Sequence, residues 1–76
     1  MSHTPHELAA EFPDKAETLH SLREADPHFR RLTDDYHEVN RAIHRAETRV
    51  DTVTEDEEAR LRRQRLVLKD QIAALL

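Results

Sequence analysis

The stretch that decides the fold is PHFRRLTDDYHEVNRAIHRAETRVDTV, residues 27–53. Apolar residues recur through it at alternating steps of three and four, and most residues between them are charged. They are Phe29, Leu32, Tyr36, Val39, Ile43, Ala46, Val50 and Val53. This spacing is the heptad pattern of a helix that packs lengthwise on another helix. It predicts a helix over about residues 27–50, which Asp26 caps and Pro27 begins.

A second helix is predicted after a short turn. Residues 51–54 form the turn, and Thr54 with Glu57 makes a capping box in front of an acidic first turn. The helix should then run over about residues 55–75. Because the connection is short, the two helices are expected to lie antiparallel, as a helical hairpin over 27–75. The packing seam is the line of side chains along which the two helices meet. It is predicted to comprise Phe29, Leu32, Tyr36, Val39, Ile43, Val50, Leu61, Leu68, Ile72 and Leu75.

The N-terminal segment, residues 4–24, is predicted to be helical in two pieces. Thr4, Pro5 and Glu7 form a capping box with proline in the first turn, and Pro13 either kinks the helix or restarts it. The segment has fewer apolar residues than the hairpin, so we expect it to pack less firmly and its amides to exchange faster. The side chains that could fold back on the hairpin are Leu8, Phe12, Leu19 and Leu22.

A chain of 76 residues allows one small all-α domain, here with coiled-coil-like packing. A hairpin has a single seam, which is little burial to offset an entropy cost of roughly 1.5 kcal/mol per ordered residue. Either the N-terminal segment folds back on the hairpin, or hairpins from several chains share their apolar faces, or both. Leu66, Val67 and Ala73 lie beside the seam, and Leu75 and Leu76 form an apolar tip. We therefore expect a homo-oligomer, with a dimer as the first guess, or a protein partner.

Composition excludes several classes of protein. Charged residues make up 37% of the chain, and there is no cysteine or glycine. Disulfides, thiolate metal sites and Gly-rich phosphate loops are therefore excluded. Apolar runs are too short for a membrane span or a signal peptide, so we expect a soluble, cytoplasmic chain without membrane contact. The formal net charge of −4 arises within residues 1–27, which hold six acidic and two basic residues.

Several short motifs resemble the YdcH-like family of small bacterial proteins. They are Phe12-Pro13, Leu19-x-x-Leu22, Asp26-Pro27-His28-Phe29-x-x-Leu32, Tyr36-His37-Glu38-Val39-Asn40-x-x-Ile43 and Arg63-Gln64-Arg65-Leu66-Val67-Leu68-Lys69-Asp70-Gln71-Ile72. The similarity spans about residues 12–75, with a variable stretch at 51–56. Gln71 stands where the family usually has Glu, and Ala73 and Ala74 are smaller than many family residues nearby. The family is described as coiled-coil-like and of unknown function, so the resemblance implies the hairpin and no activity.

The six histidines are the first candidates for metal binding. His3 and His6 lie near the beginning of the chain. His37 and His44 share a helical face but are about 10.5 Å apart by helical rise, too far for one metal ion. Neither pair has the His-Glu-x-x-His arrangement, so we expect solvated histidines, no metal ligands and no cofactor.

The acidic pairs Asp34-Asp35 and Glu57-Glu58 are the candidates for acid–base catalysis. Such catalysis requires a cleft that excludes water and shifts a pKa, which a narrow hairpin does not offer. Helix capping and surface solvation account for these acids. We therefore expect no catalytic residues and no enzyme activity.

A basic cluster lies in the middle of the second hairpin helix, after its acidic first turn. It comprises Arg60, Arg62, Arg63, Arg65 and Lys69. Such a cluster could contact phosphates. However, the chain is acidic overall, an acidic run lies one turn away, and no aromatic residue interleaves to stack bases. Pairing with acids of the first helix or of a second subunit is the simpler account, so we do not expect nucleic acid as the partner.

Two polar residues fall on or beside the packed faces. Arg65 occupies a seam position, and Asn40 flanks Val39. Either the pair sets the register of the helices, or each points to solvent on a slightly rotated helix. The leading interpretation is a structural or protein-interaction module that acts through its apolar helix faces. The alternative is a nucleic-acid-associated protein that uses the Arg-rich start of the second helix.

Overall fold

The computed structural model describes residues 6–48 and 52–76, and within these ranges it contains helices and no strand. The elements in chain order are α1 (Leu8–Glu11), a 3₁₀ turn (Pro13–Lys15), α2 (Ala16–Ala25), α3 (Pro27–Glu47) and α4 (Glu55–Leu75). Helices α3 and α4 pack along each other, so the predicted all-α helical hairpin is confirmed. None of the described helices is long and apolar enough to cross a membrane.

Both hairpin helices begin at the predicted caps. The Asp26 carboxylate accepts hydrogen bonds from the backbone N–H groups of His28, at 2.9 Å, and Phe29, at 3.3 Å. The Thr54 hydroxyl accepts one from the backbone N–H of Glu57 at 3.1 Å. These bonds satisfy donors that a helix leaves without partners in its first turn. The local sequence therefore sets both starting points.

The first hairpin helix is shorter than its heptad pattern. It ends at Glu47 rather than near residue 50. The hydroxyl and the backbone N–H of Thr48 both donate to the His44 carbonyl, each at 2.9 Å, and close the last turn. Val50 lies outside the described residues, and Val53 is 38% exposed in the turn before α4. The apolar rhythm thus continues past the end of the helix.

The core lies between α3 and α4, under the N-terminal segment. Most residues of the predicted seam are buried there, and Leu32 is partly buried against them. The buried ones are Phe29, Tyr36, Val39, Ile43, Leu61, Leu68 and Ile72. The prediction that Leu75 belongs to the packing seam is wrong, because its side chain is 46% exposed. Leu76 packs against the core in its place, on the side of α4 that also carries Lys69 and faces α1.

The N-terminal segment folds back on the hairpin. Leu8 and Leu19 are buried, with 4% and 7% of their surface exposed. Phe12 and Leu22 are partly buried against the same core. The sequence left two ways to bury more apolar surface, the fold-back of this segment and the association of several chains. The fold-back is present within the single chain.

The beginning of that segment differs from the prediction. Helix α1 begins at Leu8, with Glu7 in the N-cap position and no side-chain cap bond. His6 has a positive φ of 63°, which a helix does not contain. The helix therefore cannot begin at Pro5 as the capping box predicts, while Thr4 and Pro5 themselves lie outside the described residues. Pro13 restarts the helix: it opens the 3₁₀ turn that leads into α2.

Candidate interaction surfaces

Part of the predicted basic cluster is paired with carboxylates of the same chain. Arg60 donates to Glu57 at 3.0 Å. Arg62 donates to Glu47 at 2.9 Å, across the hairpin, and lies 3.3 Å from Glu58. The hydrogen bond from Arg60 lowers the pKa of Glu57 and raises the pKa of Arg60 itself. The acids proposed as catalytic candidates on α4 are thus ion-paired.

Two further residues of the cluster contact the rest of the fold. Arg65 donates from Nη1 to Oδ1 of Asn40 at 2.9 Å, and Asn40 is 1% exposed. Lys69 Nζ lies 3.6 Å from a Glu11 oxygen and 5.8 Å from the centre of the Phe12 ring. Arg65 and Asn40 therefore contact each other between the helices, as the register interpretation requires. Lys69 attaches α4 to the folded-back segment.

Side chains from α3 and from the beginning of the N-terminal segment form a contact that the sequence did not reveal, which we call the N-terminal clasp. The Tyr36 hydroxyl donates to the His6 carbonyl at 2.6 Å. The Nδ1 atom of His6 lies 2.8 Å from a Glu11 oxygen, within hydrogen-bonding geometry. The Nδ1 atom of His37 also lies 2.8 Å from Glu7, but outside the angles of a hydrogen bond. The prediction of solvated histidines is therefore wrong for His37, whose side chain is only 26% exposed.

The N-terminal clasp changes the proton affinity of two groups. The hydrogen bond from His6 and the nearby charge of Lys69 lower the pKa of Glu11, against the opposing effect of burial. Burial raises the pKa of Tyr36, and the carboxylates of Glu11 and Glu7 raise it further. The charge of the Arg65 guanidinium opposes this rise. These shifts hold Glu11 ionised and Tyr36 neutral, the states in which they bind their partners.

Metal binding requires several ligands grouped around one point, and catalysis requires a cleft with reactive groups. Within 6–48 and 52–76, no three His, Cys, Asp or Glu side chains are grouped so that they could hold a metal ion. An open groove of about 610 Å³ lies along α3 beside Arg23 of α2, and charged side chains line most of it. One of them, Asp34, accepts a hydrogen bond from Arg23 at 3.1 Å, and Arg23 also donates to Thr33. The groove is thus lined in part by groups that pair with one another.

The outward side of α4 carries exposed apolar side chains, and we call it the outer stripe. Leu66 is 59% exposed and Val67 is 55% exposed. At 100° per residue, all members of the stripe lie within about 60° of the direction opposite the buried Leu61. The members, all exposed, are Ala59, Arg63, Leu66, Val67, Asp70, Ala73 and Ala74. This stripe points away from the core.

The fold defines a class: a small helical hairpin with a folded-back N-terminal segment. A family model described as a protein of unknown function, DUF465, matches residues 29–76. The chain belongs to this family, which includes the YdcH-like proteins, so the resemblance seen in the sequence is confirmed. The match covers α3 from Phe29 onward, the turn and α4, whereas the similar motifs before Phe29 lie outside it. No curated protein and no solved structure matches the chain.

Proposed function

We propose that this chain is a non-enzymatic protein-interaction module whose contact face is the outer stripe of α4. The observation that carries the proposal is the exposure of Leu66 and Val67, more than half of each, on a helix whose opposite side is packed in the core. Exposed single apolar residues are common on soluble proteins. Here, however, two large ones are adjacent, and three alanines extend the same face. Such a face suits packing against another helix.

The state of the basic cluster weighs against nucleic acid as the partner. Arg60 and Arg62 already bind carboxylates, and Arg65 is held by Asn40. Phosphates would have to displace these partners to gain the charge contacts on which such binding depends. Retention on heparin that falls steeply with added salt would favour the nucleic-acid alternative. We expect weak retention with little dependence on salt.

Site-specific crosslinking in the native host tests the proposal. A photoreactive benzophenone amino acid replaces Val67 in the outer stripe, and in a control chain it replaces Arg41, which is exposed on α3. We expect protein adducts of defined mass from position 67 and few from position 41. Equal adducts from both positions, or none from position 67, would contradict the proposed contact face.

A further inference from the structure

The order of charges along the outer stripe restricts how it could pair with a copy of itself. Arg63 and Asp70 lie at its centre line, on either side of Leu66 and Val67. Both are exposed, and within the described residues neither forms an ion pair or a side-chain hydrogen bond. They carry opposite charges at equal distances from the point between residues 66 and 67. The stripe is therefore self-complementary about that point.

Three other two-fold symmetric pairings of such helices bring like charges together. In a parallel pair in register, Arg63 faces Arg63 and Asp70 faces Asp70. In an antiparallel pair moved by one heptad, the helices meet with either Arg63 against Arg63 or Asp70 against Asp70. Like charges held side by side are destabilising. Among these arrangements, the antiparallel one centred between residues 66 and 67 brings Arg63 to Asp70 of the partner subunit, and does so twice.

We infer that the chain forms a two-fold symmetric dimer in which α4 packs antiparallel on α4 of a second copy, centred between Leu66 and Val67. The inference rests on the proposed function and names its partner. In this arrangement Leu66 lies beside Leu66 of the partner subunit on one edge of the stripe, and Val67 lies beside Val67 of the partner subunit on the other. Ala59 lies opposite Ala74 of the partner subunit, and small side chains there allow the helices to approach closely. A two-fold axis gives the same contacts to both chains, as is usual in dimers.

The dimer should be weak. The stripe offers only two large apolar side chains, and its ion pairs remain at the edge of solvent, where such pairs contribute little. Small interfaces of this kind belong to transient complexes. We therefore expect dissociation constants in the micromolar range or above, on the order of 10⁻⁵ M.

Sedimentation equilibrium tests the inference on the purified chain and on two variants, each with the charge reversed at one of the two positions. The variants Arg63→Asp and Asp70→Arg each place like charges across the interface, so each alone should be monomeric at concentrations where the unaltered chain dimerises. An equimolar mixture of the two restores opposite charges across the interface in a heterodimer. We expect the dimer mass to return in that mixture.

Matched controls separate this effect from net charge and from misfolding. Arg41→Asp on α3 and Glu17→Arg on α2 make the same charge changes at exposed positions away from the stripe, and they should leave the dimer intact. Circular dichroism checks that each variant keeps its helices. The conservative variant Arg63→Lys keeps the charge and should still dimerise even if Arg63→Asp does not fold.

Three results would overturn the inference: a monomeric unaltered chain, single variants that dimerise as it does, or a mixture that stays monomeric. The crosslinking experiment then decides whether the proposed function stands without the dimer. Adducts of position 67 with a different protein, together with a monomeric purified chain, would overturn the inference and leave the proposed function standing. A lack of adducts at position 67 would remove the proposed function itself.

Discussion

Arg65 of α4 donates a hydrogen bond to the side-chain oxygen of Asn40 on α3, with 2.9 Å between the two atoms. Asn40 is 1% exposed, so its amide depends on protein partners. Arg65 stands where the heptad pattern of α4 requires an apolar residue. A slip of the hairpin by one turn would separate the two groups and break this bond. The bond therefore favours one alignment of the helices, as polar residues do in coiled coils.

Removal of this amide should destabilise the fold. In Asn40→Ala the guanidinium of Arg65 loses its acceptor and a small cavity opens, so we expect a loss of about 1–3 kcal/mol in the free energy of unfolding. Urea denaturation measures it. Gln71→Ala removes an exposed amide from α4 and should change stability by less than about 0.5 kcal/mol. Equal stability of the two variants would show that the bond does not hold the hairpin.

The hairpin could be predicted from the sequence because its determinants are local. Caps at Asp26 and Thr54 act on N–H groups two or three residues away, and the heptad rhythm reports burial directly. The predicted limits of the second helix, 55–75, agree with those of α4. Exposure at Leu75 could not be predicted by continuing the rhythm. It depends on the side of α4 that the folded-back segment covers.

The N-terminal clasp could not be predicted from a motif. Its bond from Tyr36 to His6 joins residues that are 30 apart, and the acceptor is a backbone carbonyl, which every residue has. The heptad pattern places the Tyr36 ring in the seam and does not indicate where its hydroxyl points. From the sequence, only three members of the outer stripe are recognised as apolar residues beside the seam: Leu66, Val67 and Ala73. The sequence also leaves contact with phosphates open beside pairing with acids for the basic cluster, and the contacts of Arg60 and Arg62 with carboxylates support the pairing.

Truncation within the packing seam should cost far more than truncation at its exposed end. Ile43 is 0% exposed and Leu68 is 8% exposed, so replacing either with Ala should lower the free energy of unfolding by about 2–4 kcal/mol. Leu75→Ala removes the same atoms as Leu68→Ala but at a position that is 46% exposed, and should cost about 1 kcal/mol or less. Thermal or urea unfolding compares them. A loss at Leu75 as large as that at Leu68 would restore Leu75 to the seam.

Tyr36 should titrate above its ordinary pKa of 10.0, because burial and nearby carboxylates disfavour the phenolate. Since the folded-state pKa is raised, the neutral phenol stabilises the fold below pH 10, and this contribution is lost as the pH rises through the folded-state pKa. The chain has one tyrosine and no tryptophan, so ultraviolet absorbance follows this group alone. We expect a higher midpoint in native buffer than in concentrated urea. Coincident midpoints would mean that the hydroxyl is exposed to solvent.

Glu11 should make the fold sensitive to acid. Its pKa is lowered by the His6 hydrogen bond and by Lys69, so its carboxylate stabilises the fold above the ordinary value of 4.5. That contribution is lost as the pH falls through the lowered, folded-state pKa. Urea unfolding should therefore show that the free energy of unfolding decreases less between neutral and acidic pH for Glu11→Gln than for the unaltered chain. Glu17→Gln, at an exposed site on α2, should lose as much stability in acid as the unaltered chain. An equal loss of stability in Glu11→Gln and Glu17→Gln would exclude Glu11 as the source of the acid sensitivity.

The N-terminal segment should open more readily than the hairpin it covers. Helices α1 and α2 contribute one buried residue each, Leu8 and Leu19, whereas α3 contributes seven. The 3₁₀ turn at Pro13 also separates α1 from α2, so neither short helix supports the other through a continuous hydrogen-bond ladder. Regions with few buried contacts open locally without global unfolding. We therefore expect amide hydrogen exchange to be faster over residues 8–25 than over 29–47.

The same experiment can test whether the N-terminal clasp limits this opening. Tyr36→Phe keeps the ring in the core and removes only the hydroxyl that binds the His6 carbonyl. Exchange in α1 should then accelerate by up to about tenfold, since a typical hydrogen bond contributes about 0.5–1.5 kcal/mol. Local opening of α1 leaves the hairpin folded, so exchange of the amides around Ile43 should accelerate less. Equal protection of α1 and α3 in the unaltered chain would show that the segment opens only when the whole fold does. Equal acceleration of both in Tyr36→Phe would mean that the hydroxyl stabilises the fold globally rather than holding the segment in place.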